Sequence, residues 1–131
     1  MTRKLASIRL VTHDLDRLAA FYATLTGIAA TRLTPDFAEI RLGGAVLALS
    51  TERPIKQFNA GAAVAAANRS AIIEFQVEDV DGLRKSLSDT SVDCVMAPTD
   101  MPWGNRSMLL RDPDGNLINV FAPVRSKAEV S

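Results

Sequence analysis

Six polar side chains stand in the middle of otherwise apolar runs of this 131-residue chain: Arg9, Glu39, Arg41, Glu74, Gln76 and Asn119. A charged or amide group inside a strand must pair, reach water or meet a ligand, so it is the informative exception to hydrophobic burial. Two aromatics join them. Trp103, the only tryptophan, lies between Pro102 and Gly104 and could stack on a flat or apolar ligand, and Phe121 closes the last apolar run. A carboxylate such as Glu39 or Glu74 could act as a general base if a dry cleft raised its pKa. The other reactive types are isolated. His13, the only histidine, sits at a strand-to-helix turn beside Asp14 without the partners a metal ligand needs, and reads as a surface turn residue. Cys94, the only cysteine, opens an apolar run with no histidine placed to activate it, and reads as a buried, inert thiol. No helix follows Gly43-Gly44, which excludes a phosphate-cradling loop, and Asp112 and Asp114 belong to a turn.

The elements that must position these residues follow from periodicity. Leu5 to Thr12 alternates as a strand. Asp14 is a plausible N-cap, and Leu15, Leu18, Phe21/Tyr22 and Leu25 recur at helical spacing until Gly27. Strands are expected at Ala29 to Leu33, Ala38 to Leu42 and Ala45 to Ser50, with turns at Pro35-Asp36 and Gly43-Gly44. Residues 52 to 69 read as a linker with at most a helical turn, more mobile than packed. The pattern then restarts: a strand from Ala71 to Val77, a helix capped by Asp79 with Val80, Leu83 and Leu87 on its stripe, and strands at Cys94 to Ala97, Arg106 to Arg111 and Leu117 to Phe121. Asp112-Pro113-Asp114-Gly115 turns the last two into a hairpin.

The restart is a repeat. Asp14-Leu15-Asp16-x-Leu18 matches Asp79-Val80-Asp81-x-Leu83 at a shift of 65 residues, and Gly44 to Leu49 matches Gly115 to Val120 at a shift of 71. The fold expected is therefore α+β: two tandem βαβββ modules, at about 4–51 and 70–123, forming one domain of curved mixed sheets around a cleft, with a tail at 124–131. A single helix covers one face of each sheet, so the other face must be closed by a partner module or a ligand. If Ile8, Leu10, Ile73, Phe75 and Val77 face the helices, then Ser7, Arg9, Ile72, Glu74 and Gln76 face the cleft. Glu39, Arg41, Ala48, Asn119 and Phe121 join them by the same alternation. Arg9 and Glu74, 65 positions apart, could pair with each other or present charges to a ligand. Phe37 and Phe58 border turns and are expected in the core, and Tyr22 is structural.

Fifteen basic and fifteen acidic residues give a formal charge of zero with no basic stripe, which argues against nucleic acid or an anionic membrane as the main partner. The single cysteine excludes an intrachain disulfide and fits a reducing compartment. No apolar run is long enough to span a membrane, and the N-terminus lacks a signal-peptide core, so a cytoplasmic location is the expectation.

Together, the paired modules, the segment from Asp14 through Phe21-Tyr22 to Gly27, and Pro102-Trp103-Gly104 ahead of Asp112-Pro113-Asp114-Gly115-Asn116 resemble the vicinal oxygen chelate superfamily. That superfamily includes glyoxalase I, extradiol dioxygenases, and fosfomycin and bleomycin resistance proteins. The resemblance spans roughly residues 4 to 123 and implies a homodimer with clefts formed by pairs of modules. In catalytic members it also implies a divalent metal held by His and Glu at four strand positions. The repeat places these at Ser7, Ile72, Ala48 and Asn119. Ile72 and Ala48 cannot coordinate, and Ser7 and Asn119 are poor ligands for Zn, Ni or Fe. The expectation is no metal and no cofactor.

The function expected on this basis is binding of a small molecule without a metal, as bleomycin resistance proteins do by sequestration. Its ligand residues would be Arg9, Glu39, Arg41, Glu74, Gln76, Trp103, Asn119 and Phe121. Zero net charge argues against bleomycin itself, whose strong positive charge would favour an acidic groove. The alternatives are a metal-dependent lyase or dioxygenase of the same superfamily, or a regulatory subunit with a vestigial cleft.

Overall fold

Asp14 starts the first helix. Its backbone is extended (φ −137°, ψ 90°), and its carboxylate accepts the N–H of Arg17, satisfying one amide of the first turn of α1 (Leu15–Thr26). Gly27 ends α1 in the left-handed region (φ 74°), with its N–H on the carbonyl of Ala23. Leu15, Leu18, Tyr22 and Leu25 form the buried stripe between these caps. Around α1 stand β1 (Ile8–Thr12), β2 (Thr31–Thr34), β3 (Phe37–Leu42) and β4 (Ala45–Thr51). They form one sheet in the order β1-β4-β3-β2, with β1 parallel to β4 and the other pairs antiparallel. Its core face carries Leu10, Thr12, Ala38, Ile40, Leu47 and Leu49, all buried.

The second half repeats this plan in β5 (Ile72–Gln76), α3 (Val80–Ser86), β6 (Asp93–Asp100), β7 (Asn105–Arg111) and β8 (Leu117–Pro123). The sheet order is β5-β8-β7-β6, with β5 parallel to β8. The Asp79 carboxylate accepts the N–H of Gly82, as Asp14 does for Arg17. Met108, Leu110, Ile118, Val120 and Ala122 form the buried face, and Val80 and Leu87 are buried with them.

The β7–β8 turn owes its sequence to Asp112. This carboxylate is buried and accepts the backbone N–H groups of Asp114 and Asn116 and the side-chain amide of Asn116, at 2.7–2.9 Å. Pro113 occupies the first central position of the turn, the Gly115 N–H closes on the Asp112 carbonyl, and Gly115 takes the positive φ (83°) that returns the chain to β8.

The computed structural model describes residues 2–124, so nearly all of the expected 124–131 tail lies outside the described residues. The chain divides into two compact units, the first ending at Asn68 and the second beginning at Arg69. Both tandem βαβββ modules are present, as an α+β fold of two four-stranded mixed sheets with helices.

Four details differ from the sequence reading. β1 starts at Ile8, so Ser7 precedes the strand and Leu5 is exposed. Residues 52–58, expected to belong to a loose linker, form α2 (Glu52–Phe58) with Ile55 fully buried. Pro54 reads as a breaker in sequence, but it is the third residue of α2, where its missing N–H has no intrahelical partner to lose. Phe58 lies at the surface rather than in the core, 74% exposed. Cys94 is half-buried.

Because Ile55 is the side chain that seats α2, Ile55→Ala is expected to cost about 2–4 kcal/mol. Urea unfolding checks this; a loss near zero would show that α2 contributes no packing.

Candidate functional site

Strand register fixes which residues share the open face of each sheet. In the first unit Arg9 stands beside Ala48, and Ala48 beside Glu39, so all three lie on the face away from α1, with Arg41 two residues along β3. Ala48 and Ser50 on this face are buried. Three of the expected ligand residues are already engaged. The Arg9 guanidinium donates to Asn59 Oδ1 at 2.9 Å, at the C-terminal end of α2, and Arg41 approaches Glu39 Oε1 at 3.4 Å. Asn59 was not anticipated, because residues 52–69 carry no strand alternation. Its only sequence signal is an amide following a short amphipathic turn.

In the second unit the same register places Glu74 beside Asn119, Gln76 beside Phe121, and Leu109 on the other side of Asn119. Asn119 Nδ2 donates to Glu74 Oε2 at 2.9 Å, so the structure brings these two predicted residues together. The Asn119 Oδ1 atom is shut off from solvent and meets no donor from the described residues. Turning the amide over would set Oδ1 against a carboxylate oxygen, so the charge of Glu74 holds the amide in this orientation. A buried acceptor without a donor costs about 1–3 kcal/mol. Ile72, Gln76 and Glu74 are exposed on this face, and Leu109, Leu117 and Phe121 are half-buried around the pair.

Trp103 is 71% exposed. Its loop is tied down, since the Gly104 N–H reaches the Met101 carbonyl, the Met101 N–H reaches Asn105, and the Val124 N–H reaches Gly104. His13 is a surface residue whose Nδ1 lies 3.4 Å from Glu52 Oε1, in agreement with the turn reading.

A groove of about 350 Å³ opens at the start of α3, lined by Asp79, Asp81, Asp100, Arg106 and Pro123 among others. Its one lining cation is fully engaged. Arg106 grips both oxygens of Asp81 (2.7 and 2.9 Å) and one oxygen of Asp100 (3.0 Å). The hydrogen bonds from Arg106 hold the Asp81 carboxyl below its ordinary value, and Asp81 with Asp100 raises that of Arg106. This groove ties the α3 start to β6 and β7 and is structural.

The comparisons follow the geometry. The family model described as "Glyoxalase/Bleomycin resistance protein/Dioxygenase superfamily" matches residues 4–120. The chain belongs to this superfamily. Among curated proteins, YraH of Bacillus subtilis, itself described as uncharacterized, is 27% identical over 90% of this chain and 97% of its own length. The crystal structure of a glyoxalase/bleomycin resistance protein/dioxygenase from Nocardioides shares the fold at a TM-score of 0.76 and 24% identity, covering 96% of this chain and 87% of that one. A glyoxalase-related enzyme from Fulvimarina pelagi does so at a TM-score of 0.78 and 23% identity, over 92% and 88%. At these identities the two structures speak for the fold alone.

Within the glyoxalase superfamily the resemblance implies a divalent metal, and the residues at its four positions do not fit one. Ala48 is buried and Ile72 exposed, and neither carries a donor atom. Ser7 precedes its strand, and the Asn119 amide is bound to Glu74. Among the described residues no three His, Cys, Asp or Glu side chains cluster to hold a metal ion, and no helix is long and apolar enough to cross a membrane.

The Asp81 clamp predicts a pH dependence. A carboxyl whose folded pKa lies below its unfolded value stabilises fully above the unfolded value, near 3.8, and loses that contribution as pH falls through the lower folded one. Asp81→Asn should therefore be less stable than wild type at neutral pH, with the difference shrinking below about pH 4. Urea midpoints at neutral and acid pH measure it, and a difference independent of pH would refute the electrostatic origin.

Proposed function

We propose that this superfamily member binds a small organic molecule on the open face of its second sheet without the help of a metal, and sequesters it rather than transforming it. The observation that carries the reading is the Glu74–Asn119 pair. Where metal-binding members of the family would carry a metal ligand, this chain has an amide locked to a neighbouring carboxylate, framed by Leu109, Leu117 and Phe121. Apolar surface with a few placed polar groups is the composition of a ligand site. Ala48 and Ile72 at two other metal positions support the same reading, because they remove the Lewis acid on which lyase and dioxygenase chemistry in this family depends. The family resemblance supports a homodimer as the working form and an aromatic metabolite or antibiotic as the ligand.

Chelator-treated protein, screened by thermal shift against aromatic antibiotics and metabolites and followed by calorimetry, should yield a ligand whose affinity is unchanged by added Zn, Ni, Mn or Fe. A ligand that binds only after metal is restored, or turnover that appears with it, would move the protein to the lyase or dioxygenase class. A complete absence of binding would leave a regulatory subunit as the reading.

A further inference from the structure

We propose that residues 59–68 form a strap of the first unit that opens as one piece while the sheet stays folded, and whose opening releases the Arg9 guanidinium. Two side-chain latches hold the strap closed. Arg9 Nη2, on the open face of the first sheet, donates to Asn59 Oδ1 at 2.9 Å. The Glu52 carboxylate, at the start of α2, accepts the Ala65 N–H on Oε2 at 3.0 Å, and its Oε1 lies 3.4 Å from His13 Nδ1. Each latch has a charged partner, which makes the stronger kind of hydrogen bond. The residue after each latch is strained. Ala60 (φ 58°) and Ala66 (φ 56°) are the two non-glycine residues with positive φ among the described residues. Alanine enters that region at a disadvantage of about tenfold, because its Cβ crowds the following carbonyl oxygen.

The strap buries little of itself. From Gln57 to Asn68 the chain carries no charged side chain. Phe58 and Val64, the largest apolar residues of this stretch, are exposed, and Ala65 and Asn68 are half-buried. Its backbone bonds are local, with the Gly61 N–H on the Ile55 carbonyl and the Ala62 N–H on that of Asn59. Both ends are anchored. Buried Ile55 seats α2 ahead of the strap, and the second unit begins after it at Arg69. A segment with few buried contacts between anchored ends opens at a lower free energy than the sheet beneath it. Opening also lets both alanines leave the left-handed region, so the strain favours release. While the strap is closed, Asn59 occupies a donor of the guanidinium that β1 places beside Ala48. The contact is thus an internal competitor for any acceptor that a ligand brings to Arg9. This device belongs to the first sheet and does not rest on ligand binding at the second.

Amide hydrogen exchange of the full-length protein, followed by NMR at neutral pH, is the test. The Gly61, Ala62 and Ala65 amides should share one degree of protection, about a hundredfold or more below that of the β3 and β4 amides. Glu52→Gln keeps the side-chain shape and removes the charge. It should speed exchange about fivefold at Gly61 as well as at Ala65. Arg9→Ala should do the same at Ala65 as well as at Ala62. Ala66→Gly, which adopts a positive φ without strain, should slow all three amides a few-fold. Unchanged β3 and β4 protection in each variant shows that the fold is kept. Phenylglyoxal, an arginine-selective reagent, should label Arg9 faster in Glu52→Gln than in wild type, as read by peptide mass spectrometry, although that variant leaves Arg9 and Asn59 in place. A response confined to the amide beside the altered latch, or three amides as protected as the sheet, would overturn the strap. So would faster exchange in Ala66→Gly, or labelling of Arg9 that Glu52→Gln leaves unchanged.

Discussion

One helix cannot cover both faces of a four-stranded sheet, and most of what distinguishes the two halves of this chain follows from that shortage. α1 and α3 each bury one face, and the alternation of every strand then commits its other side chains to the opposite face. On the first sheet the open face carries small residues, Ala48 and Ser50, both buried, and Arg9 on that face reaches the end of α2 through Asn59. On the second sheet the equivalent positions hold Asn119 and Phe121, half-buried, next to an exposed Glu74. The repeat supplies the same geometry twice, and the halves diverge in what they leave uncovered.

The internal repeat is exact enough in register to make that comparison residue by residue. Arg9 stands beside Ala48 in the parallel pair of the first sheet, and Glu74 beside Asn119 in the second, at the shifts of 65 and 71 seen in the sequence. The helix starts repeat as well. Asp16 in the first turn of α1 pairs with Arg32 on β2, and Asp81, 65 positions on, is gripped by Arg106 on β7. In both units an acid near a helix N-terminus, where the helix dipole favours it, is tethered to an arginine on the sheet. The arginines come from different strands, so the tether is a shared device built from unshared positions.

Much of this was legible in the sequence because it depends on local chemistry. Asp14 and Asp79 as caps, Gly27 as a stop, and Asp112-Pro113-Asp114-Gly115 as a turn each follow from the backbone needs of two or three residues. The face assignments followed from a period of two, and they placed Glu74, Asn119 and Phe121 together correctly. What escaped was tertiary. α2 was hidden because Pro54 reads as a breaker unless the helix start is known, and because only one side chain, Ile55, buries it. The engagement of Arg9 by Asn59 joins residues 50 positions apart without a shared motif. The Asp81–Arg106–Asp100 clamp, likewise, could not be seen until β7 was laid against α3.

The remaining puzzle of the second sheet is why an amide with an unmet acceptor persists in a face that apolar residues could fill. Packing offers no reason, since valine or leucine beside Leu109 and Leu117 would suit the strand better than asparagine. Nor does Glu74 need the hydrogen bond, because an exposed carboxylate is well served by water. The pair is thus a local disagreement between what the fold prefers and what the sequence places there. Such disagreements concentrate where binding is selected. The buried carboxylate of Asp112, by contrast, is met by three donors from within the chain. Asn119 is held by one partner, Glu74, while its Oδ1 stays shut off from solvent without a donor among the described residues.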